Sequence, residues 1–173
     1  MFDKMREDIR TICERDPAAR SALEVMLLYN GYKAVRSHAR AAFFYRHGMK
    51  FLARWISQRC VRRTNIEIHP AAKIGRRFFI DHGTGVVIGE TCVIGRGCRL
   101  YQGVTLGALS FPKGADGVLI KGIPRHPKLE DDVTVYAGAT ILGNITIGAG
   151  SVIGANTWVT RDVPRNSKVV SGD

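Results

Sequence analysis

The chain has 173 residues, 45% of them hydrophobic and 24% charged, which suits one domain with a substantial core. It has no run of about 18 apolar residues, and Met1 to Arg10 lacks a signal-peptide h-region, so neither a membrane span nor a secretory leader is expected and the reading is cytoplasmic. The net charge of +11 would suit nucleic acid, a membrane surface or a phosphate-rich small molecule, but no zinc finger, basic zipper or repeated aromatic platform accompanies the basic stretch from Arg36 to Arg63.

Residues 1–63 read as a helical region. Met5, Ile9, Ile12 and Cys13 recur at helical spacing from Phe2 to Glu14. Asp16-Pro17 reads as an N-cap with proline at the first helical position, opening a second helix over Ala18 to Leu28 that stops near Asn30-Gly31. Two further helices, Tyr32 to His47 and Met49 to Arg62, are broken at Gly48. His38 and His47 are expected on their outer surfaces. Cys13, Cys60, Cys92 and Cys98 have no CxxC spacing and read as reduced, small apolar side chains.

From residue 64 to 173 the period changes to six. Ile68, Ile74 and Ile80 are followed, after a two-residue offset, by Ile88, Ile94, Leu100 and Leu106. The beat resumes at Leu129, Val135, Ile141, Ile147, Ile153 and Val159. Four residues after the beat the side chain is small or β-branched, as at Ala72, Thr84, Cys92, Cys98 and Val104. Glycine often follows the beat directly, as at Gly75, Gly89, Gly95, Gly107, Gly148 and Gly154, and is expected to turn a tight corner with positive φ. A strand-plus-turn unit of six residues, three to a coil, predicts a triangular prism filled by its aliphatic column. Residues 108–124 carry no beat and read as an extruded loop, a candidate lid.

Acids and histidines gather at Glu67-Ile68-His69-Pro70, at Asp81-His82-Gly83-Thr84-Gly85 and at Arg125-His126-Pro127. The ordered set EIHPAAKIG, IDHGTGVVIGET, GVTLG, RHP and YAGATILGNITIGAGSVIGA, with Arg15-Asp16-Pro17-Ala18 upstream, resembles the serine acetyltransferases among the hexapeptide-repeat acyltransferases. The resemblance implies a mainly β fold, a left-handed parallel β-helix behind an α-helical N-terminal region; the left hand does not come from periodicity and departs from the usual crossover rule.

It also implies transfer of acetyl from acetyl-CoA to the hydroxyl of L-serine, directly and in a ternary complex. His82 takes the general-base role, suited to an imidazole with an ordinary pKa of about 6.5, and Glu67 takes that of the acid orienting it. Most long members carry aspartate there. Asp16 and Asp81 match the acids that hold the substrate ammonium, Arg125 and His126 its carboxylate side, with His126 also counted among the catalytic groups. Gly107, Ala108, Ala137 and Gly138 match backbone contacts to coenzyme A. Here Ala108 replaces a family glycine and the loop before Arg125 is longer than usual.

Family members form homotrimers or dimers of trimers with sites between subunits, and cysteine inhibits by occupying the serine site. Many end in a tail whose terminal isoleucine enters O-acetylserine sulfhydrylase; this chain ends at Ser171-Gly172-Asp173, which argues against that partnership. No metal, nucleic acid or membrane is expected. Three alternatives stand beside this reading: a related acetyltransferase acting on a sugar or antibiotic hydroxyl, a zinc prism of the carbonic-anhydrase kind using His69, His82 and His126, and a non-catalytic assembly module. Other roles are open for single residues: His69 as a structural corner, Asp81 and Glu90 as caps for turn backbones, Asp16 as a plain helix cap.

Overall fold

In a computed structural model, residues 2–110 and 113–170 are described; Phe111, Pro112 and the chain end at Ser171-Gly172-Asp173 lie outside them. Helices come first: α1 (Phe2–Arg15), α2 (Ala22–Leu28), α3 (Asn30–Arg46) and α4 (Lys50–Thr64). The second begins later than its proline suggests. Ser21 caps it by accepting from the Glu24 N–H at 3.2 Å, and Glu24 reaches back to the Arg20 N–H, the reciprocal logic of a capping box. Asp16 instead closes a turn around Pro17, accepting the Ala18 N–H at 2.8 Å on its side chain and the Ala19 N–H at 3.1 Å on its carbonyl. Pro17 is therefore a turn residue and not the first residue of a helix.

Asn30-Gly31 likewise opens α3 where a helix end was expected. Gly31 lies against the Ile80 carbonyl so closely that a Cβ would collide with it, so glycine is needed there for helix docking and not for chain reversal. Gly48, with φ +81°, does break α3 from α4.

The prism is built by β1 (Glu67–Ile68), β2 (Lys73–Ile74), β3 (Phe79–Ile80), β4 (Val87–Ile88), β5 (Val93–Ile94), β6 (Arg99–Leu100) and β7 (Thr105–Gly107). It continues through β8 (Lys128–Leu129), β9 (Thr134–Val135), β10 (Thr140–Leu142), β11 (Thr146–Ile147), β12 (Val152–Ile153), β13 (Trp158–Val159) and β14 (Lys168–Val169). As far as β13, every third strand stacks on the same face, and β14 stacks on β12. The first face runs β1-β4-β7-β10-β13, the second β2-β5-β8-β11, and the third β3-β6-β9-β12-β14, with all ladders parallel. Register follows the beat: Ile68 pairs with Ile88, Ile88 with Leu106, Leu106 with Ile141 and Ile141 with Val159. The loop between β7 and β8 leaves this register intact, because it leaves and rejoins the prism at one corner.

The beat residues form the core. Ile88, Leu100, Leu106, Ile141, Ile147 and Ile153 are all almost fully buried, and only Ile74, in the first coil, is partly open. Cys92, Cys98, Val104, Val133, Ala139 and Ser151 fill the corners between them. Thr84 does not: it is exposed, and Val86 takes the interior position, because the two extra residues that shift the beat are absorbed in that corner. Cys13 is also exposed, unlike Cys92 and Cys98, whose thiols burial pushes up to about 12 and about 11.

The glycines after the beat do not have positive φ. That conformation falls at the next corner residues, among them Arg77, Gly97, Asp132 and Gly150. A Cβ at Gly75 would come within 2.6 Å of the Gly95 carbonyl, one at Gly95 within 2.6 Å of Glu130 backbone, and one at Gly148 within 2.5 Å of the Arg165 nitrogen. Close stacking of successive coils excludes a side chain at these sites.

Helices dock on the prism through single polar contacts over an apolar seam. The Ser57 hydroxyl donates to the Ile68 carbonyl at 2.8 Å, and Arg15 and Arg99 reach the Gly97 and Arg15 carbonyls at 2.7 and 3.0 Å. His38 is buried rather than on the surface, with Nε2 at 3.1 Å from the Ala72 carbonyl, and burial pushes its pKa down to about 4.

Candidate active site

The candidate residues fall on two corners at opposite edges of the first face. The corner leading into β4 carries Asp81 and His82, and His82 takes a left-handed conformation (φ 56°) that turns the chain before Gly83. The adjoining backbone belongs to the entry to β1: Gly85 N–H donates to Asn65 and Glu67 N–H to Val86. Glu67 and His82 thus sit on neighbouring segments, and no hydrogen bond joins their side chains within the single chain.

Asp16, in the turn after α1, and Asp81 both act on Tyr29. The Tyr29 hydroxyl donates to Asp16 Oδ2 at 2.8 Å, and its pKa is pushed up to about 12 by partial burial, by that hydrogen bond and by the charges of Asp16, Glu24 and Asp81. Tyr29 therefore stays protonated in ordinary buffers and remains a donor. The charges of Asp16, Glu24 and Asp81 make the surroundings of this phenol locally negative, which a cation would relieve. Sequence reasoning missed Tyr29, whose only signal was its place in an apolar stripe.

At the opposite edge, where β1, β4 and β7 end, Glu67, His69, Glu90, Ala108, Arg125, His126 and Arg54 of α4 surround a cleft of about 310 Å³. Arg125 donates to Glu90 Oε2 at 2.8 Å, so Glu90 holds a guanidinium and not a turn backbone. His69 keeps the structural part assigned to it, accepting the Ala71 N–H on Nδ1 and the Ala72 N–H on its carbonyl, yet it also lines the cleft. Burial pushes its pKa down.

His126 is 8% exposed. Its ring lies on Gly89, where a Cβ would overlap Cδ2 and Nε2, so that glycine after the beat makes room for a site residue. Its Nδ1 faces Thr91, at 3.2 Å from the backbone nitrogen and 2.8 Å from the hydroxyl. Burial first, and then the Arg125 charge, push its pKa down against an opposing pull from Glu90.

The four expected coenzyme A contacts are split in the same way. Gly107 ends β7 and Ala108 follows it into the cleft; Ala137 and Gly138 form the turn before β10, at the other edge of the face. A larger cleft of about 490 Å³ between the helices is lined by five basic residues and holds neither acid nor histidine.

Comparison with known proteins separates the readings. Residues 126–161 match the family described as bacterial transferase hexapeptide (six repeats), and residues 1–37 match the serine acetyltransferase N-terminal family. A serine acetyltransferase of Bacillus pumilus is 52% identical over 98% of this chain and 75% of its own length. The chain belongs to the serine acetyltransferase family. A plasmid-borne serine acetyltransferase of Synechococcus elongatus is 54% identical over 92% of this chain, which spans about half (50%) of that relative's length.

Solved serine acetyltransferases superpose closely. The Entamoeba histolytica isoform 3 enzyme in complex with cysteine gives a TM-score of 0.90 at 41% identity, covering 99% of this chain and 58% of that one. The Neisseria gonorrhoeae enzyme in complex with serine gives 0.87 at 37%, covering 96% and 64%. The fold is thus the left-handed parallel β-helix of the serine acetyltransferases behind an α-helical N-terminal region. The assembly-module and zinc-prism alternatives do not describe this family, and His82 sits at a different corner from His69 and His126. No helix among the described residues is long and apolar enough to cross a membrane.

Proposed function

We propose that this protein transfers acetyl from acetyl-CoA to the hydroxyl of L-serine, giving O-acetylserine and free coenzyme A, the first step of cysteine biosynthesis. The observation that carries the reading is the separation of charge across the first face: Asp16, Tyr29 and Asp81 at one edge, Arg125 and His126 at the other. An amino acid needs both halves, an acid for its ammonium and donors for its carboxylate, whereas a sugar needs neither. In the proposed assembly, a homotrimer or a dimer of trimers, the acid edge of one prism meets the Arg125 edge of the next.

There His82 takes the hydroxyl proton as the serine oxygen bonds to the thioester carbonyl carbon. The tetrahedral centre then collapses, the C–S bond breaks, and the sulfur leaves with a proton as free thiol. Glu67, which lines the Arg125-edge cleft, steadies the imidazolium where that edge meets the His82 corner of the neighbouring prism. Coenzyme A lies across the groove between prisms, against Gly107 and Ala108 of one edge and Ala137 and Gly138 of the other. Residues 1–63 supply Asp16, and residues 64–173 form the catalytic β-helix. Cysteine, with the same ammonium and carboxylate, competes for the serine site. Action in the cytoplasm fits the cysteine-pathway role, and the route needs neither metal nor nucleic acid.

The test is thiol release from acetyl-CoA with and without L-serine, alongside a panel of sugar alcohols. Release is expected to depend on serine, and His82→Ala is expected to lower it by roughly 10²–10⁴-fold. Release that follows a sugar, or that survives loss of His82, overturns the assignment.

A further inference from the structure

Hydrogen bonds around Thr91 leave only one way to place the protons on His126. The Thr91 backbone N–H can only donate, and its partner is His126 Nδ1 at 3.2 Å. The Thr91 hydroxyl oxygen accepts the Arg125 N–H at 3.0 Å and the His126 N–H at 3.1 Å, which occupies both of its lone pairs. Its own hydrogen is then free to go only to Nδ1, 2.8 Å away. Two donors converge on that nitrogen, so it carries a lone pair, and in a neutral imidazole the proton must sit on Nε2.

We propose that Thr91 is a positioning residue that fixes His126 as the Nε2–H tautomer, making this ring a hydrogen-bond donor to the acceptor substrate and not a second base. The same hydroxyl ties the Arg125 and His126 backbone to the end of β4, so one side chain sets both the place and the protonation of the carboxylate-binding edge. The inference rests on the reading above for its substrate, but the tautomer itself does not depend on which molecule binds.

The surrounding charges agree with the assignment. Arg125 beside the ring, Arg54 from α4 and His69 after β1 face the cleft against Glu67 on β1 and Glu90 after β4. A second proton would have to enter at Nδ1, between two donors already aimed there. His126 is thus held neutral by geometry as well as by burial.

The experiment is ¹⁵N NMR of histidine-labelled protein without substrate, with His126 assigned from the signals missing in His126→Asn. The expected wild-type pattern is an unprotonated Nδ1 and a protonated Nε2 at neutral pH. Thr91→Ser keeps the pattern. Thr91→Val keeps the longer backbone N–H contact to Nδ1 but loses the hydroxyl donor, so a detectable fraction of the Nδ1–H tautomer emerges, and its KM for serine rises about tenfold with a smaller change in kcat, the scale of one lost hydrogen bond. A wild-type ring protonated at Nδ1, or a folded Thr91→Val with an unchanged ring, overturns the proposal. Should Thr91→Val fail to fold, the wild-type and Thr91→Ser spectra decide the tautomer alone. Wild-type protein with the expected tautomer but no serine-dependent thiol release overturns the functional reading and upholds the assignment of the proton.

Discussion

The prism and the helices solve the same problem, burying apolar surface, in different ways. In the prism each strand contributes one interior residue, and that residue meets its equivalents one coil above and below, so the same side-chain class suits every position. In the helical region each contact is made once: Gly31 under Ile80, His38 on Ala72, Ser57 on Ile68, Arg15 on Gly97. Repetition makes a structure legible and locally uniform; single contacts make it specific. The candidate site uses both, since the prism corners supply His82, Arg125 and His126 while two junctions between helices supply Asp16 and Tyr29.

The contrast is sharpest in the core. Ile141→Ala, deep in the first face and fully buried, is expected to cost about 2–5 kcal/mol in urea unfolding. The same truncation at Ile74, partly open in the first coil, is expected to cost less, since fewer neighbours are lost. Equal losses at the two positions would show that the stack does not close over its first coil as the burial pattern requires.

The helical dock should reveal itself by pH. His38 titrates near 4 in the folded chain against an ordinary value of 6.5, so the unfolded chain binds the extra proton first as pH falls. The stabilisation from keeping it neutral is complete above pH 6.5 and is lost between pH 6.5 and 4, amounting to roughly 3 kcal/mol over that window. Subtracting the stability profile of His38→Gln from that of the wild type across pH 4–7 should isolate this slope. Parallel profiles would mean that the ring is not buried in the seam.

At the point where the two regions meet, the expected effect is smallest. Tyr29→Phe removes the hydroxyl that holds Asp16 and should raise the KM for serine about tenfold while leaving the KM for acetyl-CoA and the melting temperature nearly unchanged. A change confined to acetyl-CoA would place this corner on the wrong substrate.

The fold was largely readable before any coordinates, because a six-residue beat over thirteen positions admits few structures other than a stacked prism. The helices were readable as helices from their apolar spacing, yet their ends were not. Asp16-Pro17 looked like a helix start, and only the turn closed by the Ala18 and Ala19 N–H groups shows otherwise. The glycines after the beat read as tight corners with positive φ, whereas the structure gives them ordinary φ and excludes a side chain by close stacking: a sequence displays conformational freedom and steric exclusion with the same letter.

The sequence by itself determined the prism, its aliphatic column and the histidine-bearing motifs, since each is a local pattern written in consecutive residues. Tertiary structure decided which of those residues share a corner: that His82 stands apart from Arg125 and His126, that Tyr29 holds Asp16 within the field of Asp81, that Glu90 holds Arg125, and that Thr91 faces His126 Nδ1. Those pairings join positions 13 to 65 residues apart and occur once each. No period announces them, and only the packing of the helices and the stacking of one coil on another bring them within the reach of a hydrogen bond or a charge.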